Sequence, residues 1–191
     1  MGRPRTFDDD EVVDRAMDAF WTHGYAGTSP ALLAEATGVA KGSLYNAFGS
    51  KRELFDRALA RYDMVGAAFA EQFLSRPGST REIVGEFLRF LVDSDLAGPT
   101  RRGCLAVNTA VELAPDDPDI ARAVRMAQDH TVVALAARLD RGRVDGDVDS
   151  DLPVQATAEF LMTTIVGLRV MAKTYDAPTL HRVIESALTA L

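Results

Sequence analysis

Lys41, Ser43, Tyr45 and Asn46 fall within one six-residue run, KGSLYN, which brings together an ammonium, a hydroxyl, a phenol and a carboxamide with no carboxylate among them. Such a set donates hydrogen bonds to phosphate oxygens and to base edges, and Gly42 between them lets the backbone come close. Catalytic chemistry is harder to find. His23, His130 and His181 are far apart, without His-x-x-x-His spacing, and no cysteine pair is present to hold zinc. A glycine-rich phosphate loop, a G-x-S-x-G elbow and a dinucleotide fingerprint are all missing. Asp145, Asp147, Asp149 and Asp151 alternate in a way that hints at calcium. The glycine required at loop position six is Ser150, however, and the acid required at position twelve is Ala156, so this segment reads as a solvated interhelical loop. No metal and no cofactor are expected.

The polar run must be held by a scaffold, and residues 29–48, SPALLAEATGVAKGSLYNAF, supply one. Ser29 is a good N-cap and Pro30 suits the first helical position, so a helix starts there and turns Leu33 and Ala34 inward. Gly38 ends it by taking the left-handed conformation, and Val39 tucks into the angle that follows. Leu44 is then the inward anchor of a second helix, and Lys41, Ser43, Tyr45 and Asn46 face out. Two short helices crossing at a glycine turn are the layout of a helix-turn-helix, whose second helix enters the DNA major groove.

The flanking residues carry a resemblance. VVDRAMDAFWTHG, YAGTS, GVAKGSLYNAF and GSKRELF succeed one another along the first part of the chain. In these segments the chain resembles the TetR/AcrR-type one-component transcriptional regulators. The resemblance implies that Thr28, Tyr45 and Lys51 contact phosphates, with Ser29 in the same DNA-binding set. It places Lys41, Gly42, Ser43 and Asn46 near base edges. Arg3 and Arg5 belong to an N-terminal arm that either reaches the minor groove or stays idle. Two departures stand out: Ala40 replaces the usual Ser or Thr cap of the second helix, a loss worth about 1 kcal/mol, and Ala31 and Leu32 stand where acidic residues are common.

Composition agrees with this reading. The chain has 191 residues, is 47% hydrophobic and carries a formal charge of −7. That sign argues against binding nucleic acid through bulk charge, so local charge matters more. Between 41 and 61, Lys41, Lys51, Arg52, Arg57 and Arg61 outnumber Glu53 and Asp56. A single cysteine excludes an intramolecular disulfide and fits a reducing compartment. MGRPRTFDDD lacks the apolar core of a signal peptide, and no run of 18 apolar residues is present for a membrane span. A cytoplasmic protein without membrane contact is expected.

Helical periodicity runs through nearly every segment, and strand-like alternation is absent, which predicts an all-α chain of roughly nine helices. The expected division is a three-helix DNA-binding domain over 1–62 and a larger ligand-binding and dimerisation domain over 63–191. Ser50 with Glu53 and Ser79 with Glu82 read as capping boxes. Asp117-Pro118, Asp151 with Pro153, and Asp176 with Pro178 read as caps followed by a first-turn proline. Residues 154–171, VQATAEFLMTTIVGLRVM, are apolar on almost every face. That fits either a subunit interface or a helix wrapped by its own core. The resemblance favours the interface, because such regulators pair their last two helices in a two-fold dimer, with Val154, Ala158, Leu161, Ile165 and Leu168 as the contact.

By the same resemblance, the larger domain holds a small apolar effector whose binding releases a repressor from a palindromic double-stranded operator. Phe69, Phe73, Phe87, Phe90, Met126, His130 and Met162 fall on the helices that line such pockets, although an aromatic or Met stripe is also what plain core looks like. Cys104 belongs with them. It follows Arg101, Arg102 and Gly103 at a helix start, where positive charge and the helix dipole favour a reactive thiol. RGCLAVN also resembles a branch of the family, some of whose members sense electrophiles through that cysteine; the alternative is a small core residue. A competing function is a helical ligand-binding protein or enzyme that merely retains the N-terminal fold. Its titratable candidates, Glu112, His130 and Glu159, are scattered in sequence.

Overall fold

In the computed structural model, residues 7–191 are described; Arg3 and Arg5, the expected minor-groove arm, lie outside the described residues. Nine helices follow one another among the described residues, without a strand: α1 Asp9–Gly27, α2 Pro30–Thr37, α3 Lys41–Phe48, α4 Lys51–Leu74, α5 Thr80–Ala97, α6 Leu105–Glu112, α7 Pro118–Asp145, α8 Val154–Met171 and α9 Ala177–Ala187. A single 3-10 turn, Leu188–Ala190, ends the chain. None of these helices is long and apolar enough to cross a membrane.

Local chemistry accounts for most of the boundaries. Side chains of Asp8, Ser29, Ser50, Ser79, Asp117 and Asp176 accept amide hydrogens in the first turn of the helix each one opens. Gly38 closes α2 in the left-handed conformation, φ 70 and ψ 13. Ala40 offers α3 no side-chain cap. One expected cap is absent: Pro153 occupies the N-cap of α8, and Asp151 lies before it in a turn closed by Asp149, whose carboxylate accepts from the Asp151 amide.

Two cores organise the helices. Phe20, Leu33, Leu44 and Phe55 bury themselves between α1, α2, α3 and the first half of α4, with Phe55 edge-on to Phe20 at 4.9 Å. Leu105 of α6 and Ile120 and Val124 of α7 complete that core from outside the first sixty residues. The second core gathers Phe87, Leu88, Leu135, Leu139, Leu161 and Leu180 from α5, α7, α8 and α9. α4 runs unbroken through both, from Leu54 and Phe55 in the first to Ala70 and Leu74 in the second. One continuous helix therefore joins the motif to the larger half.

The face of α8 that meets this second core differs from the expectation. Ala158, Leu161, Ile165 and Leu168 are buried within their own chain, and the half-buried Val154 packs against the same core. Ala158, Leu161, Ile165 and Leu168 have almost no surface left for a partner. The opposite side of α8 carries Phe160 and Val170, which are 47% and 46% exposed, with the exposed Gly167 between them. A helix apolar all round has two candidate faces, and intramolecular packing claimed the one rich in leucine and isoleucine.

Candidate nucleic-acid interface and cavity

The third helix of the N-terminal half is strongly two-sided. Leu44 and Phe48 are 0% and 2% exposed, whereas Lys41, Gly42, Ser43 and Asn46 all lie on the solvent side. A Cβ on Gly42 would meet no atom within 4 Å, so its surface is open. Ser29, exposed at the start of α2, accepts the Leu32 amide at 3.1 Å and keeps its hydroxyl hydrogen for donation. Lys51 opens α4 and holds its ammonium 4.3 Å from the centre of the Tyr25 ring, a cation–π arrangement at the flank of α3. Cations, donors and an open glycine thus share one surface.

Tyr45 and Thr28 are placed less simply. The Tyr45 hydroxyl is buried and has no hydrogen-bond partner, and burial together with nearby Tyr25 raises its pKa above the ordinary phenol value. Thr28 is fully buried, and its hydroxyl donates to the carbonyls of Gly24 at 2.6 Å and Ala19 at 3.4 Å. The side chain expected to meet phosphate instead ties down the end of α1. Arg52, partly exposed, is engaged by Asp56 and Asp117.

A cavity of about 310 Å³ opens between α4, α5, α7 and α8 and reaches back to α1 and α6. Phe69, Phe87, Phe90, Cys104 and Met162, five of the residues proposed from the sequence for an effector pocket, line it. Three expected residues do not. Phe73 lies behind Phe69 in an aromatic cluster, 5.6 Å between ring centres, with Arg76 over its face. Met126 is exposed in a separate groove between α4 and α7. His130 is exposed too, with Nδ1 2.9 Å from the Asp63 carboxylate.

The cavity has one polar end that the sequence reading missed. Arg169 of α8 donates through Nε and Nη2 to both oxygens of buried Asp95, at 2.9 and 2.6 Å, and through Nη1 to the Tyr62 hydroxyl at 3.4 Å. Tyr62 in turn donates to Cys104 Sγ at 3.4 Å. Burial works against the Arg169 charge, but the bond to Asp95 and the neighbouring Tyr62 and Cys104 outweigh it and hold the guanidinium firmly protonated. Burial, then Cys104, pushes the Tyr62 phenol well above its usual range. The signal in the sequence is an arginine within a largely apolar stretch of α8; such a charge needs a buried partner, which local pattern does not name.

Family comparison decides what such an arrangement belongs to. Residues 12–58 match the family described as bacterial regulatory proteins, tetR family, and residues 73–188 match the tetracyclin repressor-like C-terminal domain. The chain belongs to the TetR family. As a TetR-family member it is a DNA-binding transcriptional regulator. It is 31% identical to the HTH-type transcriptional repressor ComR of Escherichia coli K12 over 191 residues, all of this chain and 90% of that protein. It is also 32% identical to the uncharacterized HTH-type transcriptional regulator YezE of Bacillus subtilis 168, over the full length of both. Among solved structures, a cysteine mutant of the TetR-family regulator CifR complexed with 26-bp double-strand operator DNA superposes with a TM-score of 0.87 at 38% identity, covering 99% of each chain.

Proposed function

We propose that this chain is a homodimeric cytoplasmic repressor that places the outward face of α3 in successive major grooves of a palindromic operator and leaves it when a small, mainly apolar effector fills the cavity. The observation that carries the reading is the exposed Lys41–Gly42–Ser43–Asn46 surface on a helix anchored by fully buried Leu44. Its similarity over 99% of its length to CifR, whose cysteine mutant is complexed with operator DNA, supports operator binding. Lys51 and Ser29 serve the phosphates in this account, while Thr28 and the buried Tyr45 hydroxyl lie inside the fold. An effector can release DNA only by favouring an arrangement of the two readers that no longer fits the groove spacing.

The subunit contact in this account is the outer stripe of α8 through Phe160, Gly167 and Val170, in place of the five core residues. Regulation is favoured over catalysis because Glu112, His130 and Glu159 engage different partners in different places: the amides of Tyr25 and Ala26, Asp63, and Gln155. Selection of bound sequences from a random duplex pool tests the proposal. A palindrome with half-sites about 34 Å apart, or a multiple of that, is expected. A folded, dimeric protein that enriches no sequence, even after unfolding, dialysis and refolding to remove any retained ligand, overturns it.

A further inference from the structure

α1 does not run unbroken into the DNA-reading unit. At Gly24 its backbone turns to φ 72 and ψ 172, a combination essentially confined to glycine, and the chain restarts as a single turn over 25–27. A restarted helix presents amides that no earlier carbonyl can take. One carboxylate takes two of them: Glu112 Oε2 accepts from the Tyr25 amide at 2.9 Å and Oε1 from the Ala26 amide at 2.7 Å. Glu112 is the last residue of α6, and it is brought to this place from 86 residues away along the chain.

What the clamp holds is close to the reader. The Tyr25 ring lies under the Lys51 ammonium and edge-on to Phe55 at 4.9 Å, and Ser29, four residues on, caps α2. A second acid in the same connection ties the other flank: Asp117, the cap of α7, engages Arg52 in the first turn of α4. The short segment from 112 to 117 therefore holds both α1 and α4, the helices that precede and follow α2 and α3 in the chain. α6 itself starts at the cavity, where Cys104, Ala106 and Val107 line its wall.

We infer that Glu112 is a positioning residue for DNA binding: its two carboxylate oxygens fix the α1 kink and thereby set the angle at which α2 and α3 meet the duplex. This rests on the operator-binding reading above, and the test separates the two. By charge alone, removing an acid near a DNA-binding surface leaves affinity unchanged or raises it. The clamp demands the opposite sign.

Glu112→Gln retains one acceptor oxygen where two are used, and Glu112→Asp retains the charge but withdraws it by one methylene. Each is expected to weaken wild-type operator affinity by about 10-fold, within the usual range of coupling between sites. Glu35→Gln, which removes an exposed acid of α2 without touching the kink, is expected to bind as tightly as wild type or tighter. Amide exchange at Tyr25 and Ala26 should accelerate about 10-fold or more in both Glu112 variants while the Leu44 amide keeps its protection, a signature that general loss of stability would not give. Glu112 variants that bind the operator as well as Glu35→Gln, or that leave both amides protected, overturn the inference. Failure of the wild-type protein to bind any operator would instead overturn the reading of function.

Discussion

Arg169 of α8 and Asp95 of α5 form a bidentate ion pair inside the larger half of the molecule, with side chains only 12% and 5% exposed. A buried pair is expensive to break because the surviving charge loses its compensation. Asp95→Ala is therefore expected to destabilise the protein by about 3–5 kcal/mol, whereas replacing both residues by apolar ones of similar size should recover most of that loss. Denaturant unfolding of the single and double variants checks this. A double variant as unstable as the single one would contradict it.

Tyr62 joins the same network and gives it a pH dependence. Burial and the neighbouring Cys104 raise its phenol above the ordinary value, so the folded state keeps a proton that the unfolded chain releases. The stabilisation is fully present below about pH 10, the ordinary tyrosine value, and is lost as pH rises towards the folded-state value. Unfolding measured from neutral to strongly alkaline pH should show stability falling beyond that point in the wild type. The fall should be shallower in Tyr62→Phe; identical slopes would remove Tyr62 from the explanation.

Cys104 lines the cavity beside the Tyr62 hydroxyl, in contact with the space an effector would occupy. Alkylation there by iodoacetamide adds a group to a wall shared by α6, α4 and α8. The expected result is release of operator DNA by the treated wild type and retention by treated Cys104→Ser, read by electrophoretic mobility shift. Equal release in both would show that Cys104 is only a packing residue.

Lys51 stands at the flank of α3 with its ammonium over Tyr25. Lys51→Ala is expected to weaken binding to every duplex and to lower the slope of log affinity against log salt by about 1, as loss of one phosphate contact should. The salt titration must use both the operator and a scrambled duplex. An unchanged slope would assign Lys51 to packing against Tyr25 alone.

Local rules make much of this molecule legible in its sequence. Ser29, Ser50, Ser79, Asp117 and Asp176 cap the helices they announce because an N-cap acts within three residues of itself. Gly38 and Leu44 likewise carry the turn and the anchor of the motif. The unread part is non-local. Arg169 meets Asp95 across 74 residues, and Glu112 reaches Tyr25 across 87, separations at which periodicity says nothing. Which face of α8 packs on its own core is not legible either, because a helix apolar on almost every face marks no side as inner. Phe73, Met126 and His130 sit on cavity-forming helices but on the wrong arc, which helical spacing alone does not resolve.

The central claim is that the outward side chains of α3 read the operator, and one comparison tests it directly. Wild type and a triple variant, Lys41→Ala with Ser43→Ala and Asn46→Ala, are titrated against the selected operator and against a scrambled duplex at one near-physiological salt concentration. The three substitutions touch only solvent-side positions, so fold and oligomeric state are expected to persist, as circular dichroism and sedimentation will show. Wild type should prefer the operator by about 10³-fold or more. The triple variant should bind both duplexes alike; a folded triple variant that keeps the wild-type preference would contradict the account.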